Sequence, residues 1–156
     1  MPGKALKAGS GCLYSWSGLN FFLSSLILII VLSGFGDSPL LDMVFEQSAI
    51  DRLDADVILA MNCLTILYNS YAVALSVLVD LVVRFGLSKG HAWAFWALLV
   101  TVGLVEVFAF IASAPLGNVR WQVNVVLSAL YALGIGFSAY SLRVARRGRP
   151  VHHDPS

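Results

Sequence analysis

Apolar residues in this chain come in blocks long enough to cross a bilayer, and that patterning restricts the fold more than any single motif. A helix needs roughly 20 apolar residues to span the hydrocarbon core. Between Ala92 and Ala114 the only charged residue is Glu106. The chain is 58% hydrophobic and only 12% charged, about half the charged fraction of a soluble domain. The blocks predict an all-α integral membrane protein with spans at about 15–36, 57–84, 91–114 and 121–142. Residues 1–14 then form an N-terminal segment, 15–142 the membrane domain and 143–156 a basic tail. Lys4 and Lys7 ahead of the first block give it the form of an uncleaved signal anchor; cleavage near Ser33-Gly34 is the rival reading.

The loop between spans three and four, Pro115 to Arg120, is too short for anything but antiparallel neighbours. The expected architecture is an antiparallel four-transmembrane-helix bundle. Residues 37–56 hold six acids and one Arg. Ser38-Pro39 reads as a helix start, and Leu40, Leu41, Val44 and Phe45 share a face. That predicts a short external amphipathic helix between spans one and two. The acids lack Ca²⁺-loop spacing and read as a solvated face.

Charge sets the orientation. Lys4, Lys7, Arg84, Lys89, Arg143, Arg146, Arg147 and Arg149 fall on one side, and only Arg52 and Arg120 on the other. The positive-inside rule therefore places both termini in the cytoplasm. Cys12 and Cys63 fall on opposite sides of the membrane midplane, so no disulfide is expected. With no disulfide framework and no targeting peptide, a bacterial inner membrane is the expected location.

The polar residues inside the spans are the candidate site. A carboxylate in a bilayer is costly and marks either function or a polar partner. Entering at His91, Glu106 lies ~22 Å up span three at 1.5 Å per residue. On the same rise, Asn62 and Thr65 lie about 8 and 12 Å below the outer end of span two, and Asn124 and Ser128 about 4 and 10 Å below that of span four. Depth therefore predicts a cluster of Glu106, Asn62, Thr65 and Ser128, with Asn124 and a dipping Arg120 as further candidates. In span two, Asn62, Thr65, Asn69, Ala72, Ser76 and Asp80 recur every three or four residues and should face the bundle interior. Ser128, Ala132 and Gly136 form a small-residue face in span four, fit for close helix packing. Arg84, four residues after Asp80, is its expected ion-pair partner. Trp16, Trp93, Trp96 and Trp121 read as interfacial anchors.

No nucleophile elbow, phosphate loop, CxxC pair or HExxH occurs, so no catalytic residue is named, and no metal or cofactor is expected. Beside a span, Arg143 to Arg149 suit anionic lipid rather than nucleic acid. Expected partners are the bilayer, further copies of the chain or a larger membrane complex, and a small hydrophobic ligand. The outline of four spans, both ends inside and an amphipathic segment after span one, is similar to that of DoxX-like proteins. The small multidrug transporters share the span count and a single membrane-embedded Glu, which there sits in the first span. No specific motif matches either family, and no residue role follows from the similarity. The expectation is a non-enzymatic accessory or small-ligand-binding bundle. A proton-coupled transporter using Glu106, or a membrane enzyme with Glu106 as acid or base, is the alternative.

Overall fold

The computed structural model describes residues 2–35, 38, 39, 41, 45, 47–113 and 118–147. Within them, the side chains of 2, 47, 48, 112, 113, 118–123 and 146 are left aside. The described residues are helical, with no strand. Four helices are long and apolar enough to cross a membrane. They are α1 (Pro2–Leu32), α2 (Ala55–Phe85), α3 (Ala92–Ser113) and α4 (Asn118–Arg147). A single helical turn, Gln47–Ile50, precedes α2. Most of the expected external amphipathic helix, including residues 40, 42–44 and 46, lies outside the described residues.

Local chemistry explains the ends. Pro2 opens α1, a position where its missing N–H forfeits no helical bond. Asp54 caps α2: its side chain accepts from the Asp56 N–H at 3.4 Å. Asp56 in the first turn and Arg84 in the last both suit the helix dipole. At the other end the Gly86 N–H returns to the Val82 carbonyl at 2.9 Å. A 3-10 turn, Leu87–Lys89, follows, closed by Gly90 at φ +79°, a left-handed conformation that glycine adopts without strain. A Cβ on Gly86 would lie 2.5 Å from the Ala94 Cβ, so the α2–α3 link closes too tightly for any other residue.

The helices outrun the apolar blocks. α1 begins at Pro2, well before 15, and α4 continues to Arg147, past 142. The added turns of α1 are packed: Ser10 and Leu13 are buried. α1 is the central element, in contact with both α2 and α4, while α3 packs more against α4 than against α2. As α1 advances from Ser17 to Asn20, its partners on α2 recede from Asp80 to Ser76 and Ala72. The apolar core gathers Leu13 and Trp16 of α1, Val79 and Val83 of α2, Leu87, and Ala94, Leu98 and Val102 of α3.

The tightest approach is between α1 and α4. A Cβ on Gly9 would sit 2.8 Å from the Gly134 carbonyl and 3.0 Å from the Ser138 nitrogen. A Cβ on Gly134 would meet the Leu13 side chain at 2.6 Å. The close-packed small face of α4 is therefore Gly134 and Ser138. Ala132 and Gly136 of the expected Ser128–Ala132–Gly136 face are exposed, and a Cβ on Gly136 would meet nothing within 4 Å. Both faces have helical spacing; which one packs is settled by the partner's own glycine, Gly9.

Gly9→Ala is expected to destabilise the protein by roughly 1–3 kcal/mol, the usual penalty of overpacking. Gly11→Ala, where a Cβ meets nothing within 4 Å, should be neutral or slightly stabilising. Thermal unfolding of the two variants in detergent checks the contrast.

Candidate functional site

Glu106 is half-buried on α3, and two other helices reach it. The Trp16 Nε1–H of α1 donates to its Oε1 at 2.8 Å. The Ser128 hydroxyl of α4 donates to its Oε2. One turn along α4, the Tyr131 hydroxyl donates to the Leu99 carbonyl at 3.0 Å and lies 3.3 Å from that of Leu98. Its oxygen stands 3.0 Å from where a Cβ on Gly103 would be. Gly103 thus leaves room for Tyr131, and Tyr131 fixes α4 beside the carboxylate. The Trp16 side chain is 2% exposed, so its indole N–H has little access to solvent.

The residue next to Trp16 performs a parallel task. Ser17 is fully buried and its hydroxyl donates to Asp80 Oδ1 on α2. One turn on, Asn20 Nδ2 donates to Ser76 Oγ at 3.0 Å and lies 3.4 Å from the Ala72 carbonyl. Consecutive residues of α1 therefore hold one carboxylate on each side. The expected Asp80–Arg84 ion pair does not form: Asp80 takes the Ser17 hydroxyl, and the Arg84 guanidinium lies 5.6 Å from the centre of the Phe85 ring.

Of the expected cluster members whose side chains are described, only Ser128 joins Glu106. Asn62 and Thr65 bind elsewhere: Asn62 Oδ1 accepts from the Ser38 N–H at 2.8 Å, and Thr65 shares a hydrogen bond with the Ser38 hydroxyl. Asn69 Nδ2 donates to the Thr65 carbonyl at 2.8 Å. Asn124 is half-buried but does not donate to Glu106. The Arg120 side chain lies outside the described residues.

Asn62 and Thr65 lie away from Glu106 for a geometric reason. α2 has 31 residues, about 46 Å at 1.5 Å each, against a slab of ~30 Å. In a bilayer its ends could not both lie at the surface. The Ser17–Asp80 contact sets the true register, and from Asp80 to Thr65 is about 22 Å of helix. Asn62 and Thr65 instead anchor the segment that follows α1. The interior-facing stripe of α2 does hold, since Thr65, Asn69 and Ser76 are buried.

Trp16 and Tyr131 were not among the expected site residues. A signal for Trp16 was present: Gly9, Leu13, Trp16 and Asn20 recur at helical spacing, beside the buried stripe of Ser10, Ser17 and Ser24. An anchor at the interface would not share a face with so many small and polar residues.

Two surface grooves lie on α1. One is shared with α4 near Ala5 and Gly136, the other with Ser88 near Lys7 and Tyr14; neither is lined by Glu106. Cys12 and Cys63 are free. Among the described residues no three His, Cys, Asp or Glu side chains gather as a metal ion would require. No protein-family model, curated protein or solved structure matches the chain.

Replacing Glu106 by Leu strands the Trp16 and Ser128 donors, which should cost about 1–3 kcal/mol. Gln keeps a carbonyl acceptor and should lose less than half of that. Chemical or thermal unfolding in micelles reads both. A double-mutant cycle separates the two polar sites: Trp16→Phe and Glu106→Leu should couple by 0.5 kcal/mol or more, whereas Thr65→Val and Glu106→Leu should add within about 0.3–0.5 kcal/mol.

Proposed function

We propose that this chain is a small polytopic membrane protein without catalytic activity of its own, and that the carboxylate of Glu106 serves as the node that holds its helices together. In this reading the four helices form an antiparallel bundle in the bacterial inner membrane with both termini cytoplasmic. The molecule acts as an accessory subunit or as a holder of a small hydrophobic ligand.

The observation that carries this reading is the occupancy of Glu106. Each carboxylate oxygen accepts a hydrogen bond, one from Trp16 and one from Ser128. Bonds from two other helices to the two oxygens are what a carboxylate that ties helices together would make. Membrane insertion draws support from the outer surface. Phe22 is 64%, Leu59 62%, Phe108 63% and Leu133 52% exposed, one from each long helix. Exposed apolar side chains of that size on every long helix suit acyl chains rather than water. The inward orientation rests on the segregation of Lys and Arg.

Reconstitution tests the reading. Vesicles loaded with a pH-sensitive dye and given a proton gradient should leak no faster with this protein than without it. Glu106→Gln should change nothing. Proton entry that appears with the protein and vanishes in Glu106→Gln would replace this reading with proton coupling. In a cysteine-free background, Arg147→Cys should label only from the cytoplasmic side and Asp54→Cys only from the other.

A further inference from the structure

The groove between α1 and α4 faces outward, away from the Glu106 node, with a volume of about 530 Å³. Ala5 and Ala8 of α1 and Ala132 and Gly136 of α4 keep it open, and Phe137 and Tyr140 stand beside it. Small residues alone would make it a packing face. What separates it from one is the charge at a single end. Lys4 precedes Ala8 by four residues, and Arg143 and Arg147 follow Tyr140 by three and seven, so all three continue the groove's own faces. All three are exposed. Neither α1 nor α4 contains an Asp or Glu, so no acid on the groove's own helices answers these cations.

We infer that this groove is a binding site for an anionic phospholipid, with an acyl chain lying along Ala8 and Gly136 and the headgroup between Lys4, Arg143 and Arg147. The inference rests on the membrane-spanning reading above. The ligand chemistry follows from the two halves of the site. The groove is apolar and a chain can enter it from the bilayer. The cations sit where the headgroup of that same lipid would lie, on the side richest in basic residues, and no acid of α1 or α4 competes for them. A second copy of the chain related by a two-fold axis along the membrane normal fits less well. It would bring its own Lys4, Arg143 and Arg147 against these three, and like charges in contact are unfavourable.

The test uses the full chain, purified in mild detergent and examined by native mass spectrometry with added dioleoyl phosphatidylglycerol or dioleoyl phosphatidylcholine. The wild type should retain phosphatidylglycerol about tenfold better. Gly136→Leu fills the groove at a position where an added Cβ meets nothing within 4 Å, and should cut retention of both lipids about tenfold while leaving the helical circular dichroism unchanged. The triple variant Lys4→Gln, Arg143→Gln, Arg147→Gln should keep the acyl contact and lose the preference. Equal retention of the two lipids by the wild type, or undiminished retention by Gly136→Leu, overturns the site. A dimer that disappears in Gly136→Leu assigns the groove to a second copy and overturns it too. Flotation with vesicles of each lipid separates the two claims. Protein that stays out of both contradicts the membrane reading itself; protein that enters both without the phosphatidylglycerol preference contradicts only the lipid site.

Discussion

A carboxyl group set among apolar side chains has to be answered by donors, and here the donors come from two other helices. Glu106 on α3 takes one hydrogen bond from Trp16 of α1 and one from Ser128 of α4. The rest of the arrangement follows from that demand. Trp16 must be buried to reach α3, and its burial fixes the rotation of α1. Ser17, the next residue, is then turned toward α2, where it meets Asp80. Gly9 and Leu13, on the turns before, are turned toward Gly134 of α4. One helix thus serves three neighbours through consecutive turns of a single sequence segment.

This arrangement explains the division between polar and apolar contacts. In the membrane-spanning reading proposed above, apolar contact between helices would gain little, so close packing and hydrogen bonds would have to supply the specificity. The chain uses both. Gly9 and Gly134 bring α1 and α4 to backbone contact. Ser17, Asn20 and Ser76 lace α1 to α2. Ser128 and Tyr131, a turn apart, clip α4 to α3. The second polar site, Ser38 with Asn62 and Thr65, lies at the far end of α2 and ties down the chain that leaves α1.

The number and type of helices were legible in the sequence because apolar blocks of that length have few alternatives. The boundaries were less so: α1 and α4 carry on through residues 2–14 and 143–147, where helix and apolar block part company. That Glu106 would need polar partners was legible from its isolation, and its contact with Ser128 from depth. Asn62 and Thr65 were misplaced because depth counted from a helix end assumes that the end lies at the membrane surface, and α2 is longer than the slab. Trp16 was misread because tryptophan near a block's edge has a common explanation at the interface. Only its helical neighbours Gly9, Leu13 and Asn20 pointed inward.

The hydrogen bond from the buried Trp16 indole to the half-buried Glu106 is the contact on which the other helix contacts depend. Hydrogen–deuterium exchange of the indole N–H groups, followed by NMR in micelles, tests it most directly. Trp93 and Trp96 are each 58% exposed and supply the reference. The Trp16 N–H should exchange far more slowly than either, and Glu106→Leu should remove most of that protection. Exchange at Trp16 as fast as at Trp93 and Trp96, or protection unchanged in Glu106→Leu, would contradict it.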